Sequence, residues 1–307
     1  MILSDKVSPI CFGCEPLGGN DWGDIDVSTI ESAVHRALEL GVTFFDTAAV
    51  YGLGLSEKRL SHILGKRRFD VTISTKGGLS WQQSKCSKRA QVAVNCSPQA
   101  IQRNIEDSLR RLRLDCLPVF FVHWPDANVP IEMTFERLNK MCDDKKIASI
   151  GCSNFTAKQL EAACVVSNVE YVQIPVNILT GGISETFAEI TSRHSVNIVA
   201  YNILAYGLLT GKYDLKSKFK ENDRRSRLPL FKGSQYIDTL KRIEKLRVEA
   251  QNCNQSLAQY AIHWVLQQPN MLSVVLGIKN SKQIEENWQA LTSLETQCKS
   301  DGVRINE

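Results

Sequence analysis

The sequence predicts a single (β/α)8 barrel of the triosephosphate-isomerase type, and three features of the chain predict it. Short apolar runs rich in β-branched and aromatic residues recur eight times between Pro9 and Leu276, each followed by a stretch with helical periodicity. No hairpin turn signal joins one run to the next after the N-terminus, which implies parallel strands with crossover helices. Polar residues close these runs all along the chain, as they do where a closed barrel gathers its chemistry at one rim. An open doubly wound sheet is the rival arrangement, and eight units in 307 residues favour closure.

Taken in order, Pro9 to Cys14 is the first strand, and the Gly/Trp-rich loop 16–24 leads into an amphipathic helix marked by Ile30, Val34, Ala37, Leu38 and Val42, with Gly41 as its C-cap. The second strand is 42–46 and ends in Asp46; Ser56 is expected to N-cap a helix reaching Leu64. The third strand, Asp70 to Lys76, is followed by a long loop, 77–97, carrying Trp81, Lys85, Lys88 and Arg89. Ser97 and Pro98 open a helix to Leu112 with Ile101, Ile105 and Leu109 on one face. Then come strand 117–124, helix 131–144, strand 147–152, helix 156–167, strand 171–177, helix 185–193 and strand 197–201. A second long connection, 202–234, is irregular and basic. Helices at 235–251 and 256–267, a last strand at 271–276 and a last helix at 281–294 complete one domain over residues 1–307, with a short N-terminal segment and no linker or repeat.

Composition narrows the partners. A net charge of +4 with acids and bases interspersed leaves no basic block suited to nucleic acid, and no apolar run has the length of a membrane span. Met1 to Lys6 lacks the layout of a secretory signal, and ten scattered cysteines suit a reducing compartment, so the expected location is the cytoplasm. Cys11 and Cys14 have C-x-x-C spacing without a second pair to complete a zinc site, and neither H-E-x-x-H nor a phosphate-binding P-loop is present; no metal is expected. Gly52-Leu-Gly54-Leu-Ser-Glu57 stands where a dinucleotide fingerprint would, but Glu57 in place of the third glycine would repel pyrophosphate, so the glycines read as a tight turn presenting Tyr51.

Parallel neighbouring strands would bring Asp46, Tyr51, Lys76 and His123 to one mouth. Singly, each has an ordinary explanation: loop filler, a solvated lysine, a hydrogen-bonded histidine. Together they form a device. Asp46 would hold Lys76 charged, the ammonium would lower the pKa of the Tyr51 phenol, and His123 would add a polar contact to the same oxygen.

These four residues, with Gly151-Cys-Ser-Asn-Phe155 and the run from Ala200 to Lys212, resemble the aldo-keto reductase superfamily over nearly the whole chain, most of all its bacterial and potassium-channel-β-subunit-like branch. The resemblance implies NADPH bound in extended form on a barrel. It makes Tyr51 the general acid, Lys76 and Asp46 its tuning pair, and His123 the group that orients the carbonyl. It places Ser153, Asn154 and Gln173 on the nicotinamide carboxamide, with Asp46 nearby, and Tyr201 against the ring, followed by Asn202. Leu204, Gly207, Leu208 and Lys212 would track the pyrophosphate, and Gly277, Lys279, Gln283, Glu286 and Asn287 the adenosine end. Ser153 and Asn154 can equally be a helix cap ahead of Thr156.

The chain departs from the family pattern where Gln283 replaces a common arginine, leaving Lys279 as a point charge for the ribose phosphate, and at Asn202 and Ile203 in place of Ser-Pro. NADPH is expected, with NADH as the alternative. Few residues follow the predicted last helix, so substrate choice is expected to rest on Trp22, Trp81, Trp124 and the two long loops. The expected activity is reduction of an aldehyde or ketone, a ketosugar or sugar-derived aldehyde suiting the basic loops. The alternatives are an NADP-linked sugar or polyol dehydrogenase and a non-catalytic nicotinamide-sensing module. The partner is a small carbonyl compound, with neither nucleic acid nor membrane involved, and the chain is expected to be a monomer or weak homo-oligomer.

Overall fold

Strand alternation decides where every side chain of the sheet goes. In a computed structural model, which describes residues 7–19, 21–82 and 90–300 (side chains up to 291), eight parallel strands close on themselves. They are β1 (Ile10–Gly13), β2 (Phe44–Asp46) and β3 (Thr72–Gly77), then, past a hairpin of β4 (Leu79–Gln82) and β5 (Gln91–Val94), β6 (Leu117–Val122), β7 (Ile147–Ser153), β8 (Val169–Pro175), β9 (Asn197–Tyr201) and β10 (Met271–Gly277). Pairing of β1 with both β2 and β10 closes the circle, as a (β/α)8 barrel requires.

The surrounding helices are α1 (Val27–Leu40), α2 (Leu55–Leu64), α3 (Pro98–Leu112), α4 (Ile131–Asp143), α5 (Ala157–Val166), α6 (Glu185–Arg193), α7 (Gly233–Asn252), α8 (Leu257–Leu266) and α9 (Ser281–Ser300). Outward strand residues such as Phe12, Phe45, Phe120 and Ile198 meet the inner faces of these helices in the main core. Inward residues Cys11, Phe44, Val119, Phe121, Tyr171 and Val199 form a separate buried plug that fills the barrel. Gly151 makes room for it: a Cβ there would run into the Phe121 ring and stand 3.1 Å from the Tyr171 carbonyl oxygen.

Several expectations need correcting. The loop after β3 contains the antiparallel β4–β5 hairpin, in register Trp81 to Val92; Lys85, Lys88 and Arg89 lie outside the described residues. Strand β2 begins at Phe44, leaving Val42 as a buried residue between α1 and β2. The N-cap of α2 is Gly54, in the left-handed region, not Ser56, whose hydroxyl instead donates to the Cys14 carbonyl oxygen at 2.7 Å. Ser97 precedes α3 without a side-chain cap, and Thr156 with Gln159, not Ser153 or Asn154, forms the capping box of α5. Helix α9 continues to Ser300. The connection 202–232 is folded: its Leu208, Leu209 and Phe231 share a second core with Tyr236 of α7 and Leu257 of α8.

The turn after β2 is fixed by backbone contact. Gly52 has φ +59°, and a Cβ on it would stand 2.7 Å from the Cα of Gly18. This close approach sets the position of the preceding residue, Tyr51. Replacing Gly52 by alanine should therefore cost about 2 kcal/mol or more, from left-handed strain and collision together. Chemical unfolding checks this, and an unchanged midpoint contradicts it.

Candidate active site

Above the plug, the next inward position on each strand is polar or glycine. Phe44 is followed two residues on by Asp46, Phe121 by His123, Tyr171 by Gln173, Val199 by Tyr201 and Gly151 by Ser153, while Lys76 follows inward Ser74 on β3. Register aligns the layer: Gly13 lies opposite both Asp46 and Gly277, and Ser153 opposite Gln173. A period of two and the closure of the sheet are enough to bring residues more than a hundred positions apart to one floor.

The floor is organised by a carboxylate. Asp46 accepts from Lys76 Nζ at 2.5 Å through one oxygen, and from Ser74 Oγ at 2.8 Å and Gln173 Nε2 at 3.0 Å through the other. Lys76, 1% exposed, also donates to the Thr47 carbonyl oxygen at 3.0 Å. Its ammonium lies 5.1 Å from the Tyr51 ring centroid, and the Tyr51 and His123 rings meet edge-on at 6.0 Å. The four residues thus converge.

The electrostatics differ from the sequence expectation in one respect. Tyr51 is held well above the usual phenol value, by burial first and then by the negative charges of Glu15 and Asp46, against a smaller opposing pull from Arg224. The charge of Lys76 is shared with Asp46 and the Thr47 carbonyl, so its pull on the phenol does not outweigh burial. Tyr51 therefore keeps its proton near neutral pH. His123 is pushed down to about 3 by burial and by Lys76, and its Nδ1 is buried without a hydrogen-bond partner.

From this floor a cleft of about 2020 Å³ runs outward along the rim. Ser153, Asn154 and Tyr201 line it as a linked set: the Asn154 amide donates to the His123 carbonyl oxygen (3.0 Å) and to Ser153 Oγ (3.1 Å), while the Tyr201 hydroxyl donates to Asn154 Oδ1 at 2.6 Å. Asn154 and Asn202 both adopt left-handed backbone, φ +64° and +58°, a conformation asparagine tolerates. Asn202, Leu204, Gly207 and Lys212 continue the wall, and Gly277, Lys279, Gln283, Glu286 and Asn287 form its far end. There the Gln283 side chain accepts from the Lys279 backbone N–H at 2.8 Å. Lys212, Arg225 and Lys279 act on one another electrostatically; Lys212 and Lys279 are lowered by burial first and then by Arg225.

Of the residues expected in the site, Leu208 is turned away into the second core, and Trp81 of β4 is not among those lining the cleft, where Leu79, Ala90 and Val92 stand instead. Trp22 and Trp124 do line it. Lys279 Nζ donates to the Trp22 carbonyl oxygen at 2.6 Å. Sequence reasoning missed Glu15 and Arg224, which face the cleft joined by a 2.6 Å ion pair. An acid directly past the first strand was the available signal. Glu57, expected only to repel phosphate, is fully buried and bonded to Thr75 (2.6 Å) and Arg111. Among the described residues no cluster could hold a metal ion, and no helix is long and apolar enough to cross a membrane.

Comparison with known proteins agrees with this architecture. The sequence pattern of the Aldo/keto reductase family matches residues 9–300. A probable voltage-gated potassium channel subunit beta of Oryza sativa is 31% identical over 93% of this chain and 88% of its own length. The aldo-keto reductase yakc [NADP(+)] of Schizosaccharomyces pombe is 28% identical over 94% and 85%. Among solved structures, the glycerol dehydrogenase AKR11B4 from Gluconobacter oxydans superposes with a TM-score of 0.82 at 27% identity, covering 98% of this chain and 94% of that one.

The depressed His123 value has a checkable sign. The unfolded chain takes up a proton near pH 6.5, whereas the folded ring resists until about 3, so stability is lost as pH falls through that window, at no more than about 1.4 kcal/mol per pH unit. NMR of the ring should show no titration between about pH 8 and 5, and His123→Asn should flatten the acid slope of unfolding free energy. A ring that titrates near its ordinary value contradicts the buried, neutral imidazole.

Proposed function

The chain belongs to the aldo/keto reductase family and is an oxidoreductase, and on that premise we propose that it is an NADPH-dependent reductase of small aldehydes or ketones in which Tyr51 supplies the proton. One observation carries this reading: the Asp46–Lys76 pair is buried beneath a protonated phenol that also touches a neutral imidazole, all facing one cleft.

The residues fit the cofactor. Ser153, Asn154 and Gln173 offer amide and hydroxyl groups suited to a neutral carboxamide, and Tyr201 offers an aromatic face for the ring. Lys212, Arg225 and Lys279 bring three mutually repelling cations to one stretch of cleft, with Asp223 as the nearby acid, an arrangement an anionic pyrophosphate or ribose phosphate would relieve. Glu286 and Asn287 complete the adenosine end. When bound, the cofactor supplies a hydride to the carbonyl carbon.

The protein handles the oxygen. A neutral His123 has one N–H, and because Nδ1 is buried without a partner, we assign that N–H to Nε2, where it can hold the carbonyl oxygen. Tyr51 donates its proton as negative charge develops on that oxygen. Lys76, 5.1 Å from the ring centroid, stabilises the phenolate that remains, and Asp46 keeps Lys76 in place. The same groups serve the reverse direction, and the similarity to a glycerol dehydrogenase makes polyol oxidation the second reading. The residues assembled for proton transfer argue against a purely sensing module.

Tyr51→Phe should lower kcat by about a thousandfold or more with an aldehyde substrate, while NADPH affinity, read by fluorescence titration, stays near that of the natural chain. Retention of most of the turnover overturns the mechanism.

A further inference from the structure

The basic connection after β9 looks, in sequence, like a collector of anions. The structure assigns its charges otherwise. Arg224 pairs with Glu15 at 2.6 Å and approaches Asp21 at 3.7 Å; Arg225 pairs with Asp223 at 2.5 Å, Arg227 with Asp21 at 2.7 Å and Lys220 with Asp24 at 2.5 Å. The acids come mostly from the loop after β1, so two distant segments neutralise each other at the mouth of the site.

One of these pairs faces the reacting centre. Glu15 stands two residues beyond Gly13, whose strand partner is Asp46, and the Cys14 N–H donates to the Asp46 carbonyl oxygen at 2.8 Å. The turn that Glu15 opens ends at Gly18, which backs the Gly52 that follows Tyr51. Arg224 is steadied over the Trp22 ring at 5.3 Å. Glu15 and Arg224, 25% and 30% exposed, both line the cleft with Tyr51.

Deepening the carbonyl-reductase reading on which it rests, we propose that the Glu15–Arg224 pair is the specificity element that selects neutral carbonyl compounds bearing a hydroxyl beside the carbonyl and rejects anionic ones. A hydroxyl is donor and acceptor at once, and the pair offers both: the carboxylate keeps lone pairs that Arg224 does not use, and the guanidinium keeps N–H groups that Glu15 does not use. A carboxylate or phosphate would gain Arg224 only by displacing Glu15 and then lying beside it. The field has the same sense, since Glu15 acts on the Tyr51 and Tyr201 phenols more strongly than Arg224 opposes it.

The test compares kcat/KM with NADPH for glyceraldehyde, propanal and succinic semialdehyde, in the natural chain and in Glu15→Gln and Arg224→Met. The natural chain should favour glyceraldehyde over propanal by about tenfold and use the anionic semialdehyde worst. Glu15→Gln frees the guanidinium and should raise the semialdehyde-to-propanal ratio by about tenfold; Arg224→Met leaves the carboxylate unpaired and should lower it. NADPH titration of each variant reports whether it is folded, and either variant alone gives a signed answer. Equal use of succinic semialdehyde and glyceraldehyde by the natural chain, or an unchanged ratio in a folded variant, overturns the proposal while leaving the reductase reading in place. No oxidation of NADPH with any of the three overturns both.

Discussion

The ion pair of Lys76 with Asp46 sits at the bottom of the cleft, one layer above an apolar plug and almost out of reach of water. Such a pair is costly to assemble, and removing one partner alone costs about 3–5 kcal/mol because the other is left buried and uncompensated. Here it is held by every available means. Ser74 and Gln173 share one carboxylate oxygen, the ammonium takes the other, and the Thr47 carbonyl accepts a second bond from Lys76. The result is a fixed positive charge beneath a phenol that burial has made reluctant to ionise. Charge that develops on the phenol oxygen is met by a charge already in place.

Everything above that floor follows from register. On β2, β6, β8 and β9 an inward residue joins the plug and the next inward residue faces the site, so the spacing of two along a strand separates a residue that packs from one that reacts. The helices and the hairpin enter indirectly. They bury the outer faces of the strands, and Gly18 against Gly52 fixes the loop that brings Tyr51 back over Lys76. At the mouth, ion pairs between the loop after β1 and the connection after β9 offset much of the basic appearance of the latter.

Much of this could be read from the sequence. The eight strands, the helices between them and the convergence of Asp46, Tyr51, Lys76 and His123 follow from apolar runs ending in polar residues, a local signal. What stayed hidden depends on contacts between distant segments. The hairpin has exposed, weakly alternating strands, and Leu208 belongs to a core formed with α7 and α8, elements far from it in sequence. Glu15 and Arg224 look like ordinary surface charges until the fold brings them together across a sequence separation of 209. The upward direction of the Tyr51 shift is not legible in the sequence, because it comes first from burial of the phenol, which only the closed fold sets.

The claim that Asp46 and Lys76 act as one unit is tested most directly by a double-mutant cycle on kcat/KM, using Asp46→Asn, Lys76→Met and the two combined, with NADPH and a reducible aldehyde. The account predicts strong non-additivity: either single change costs nearly as much as both, since each residue works only through the other. Losses that simply add would show two independent contributions and contradict it.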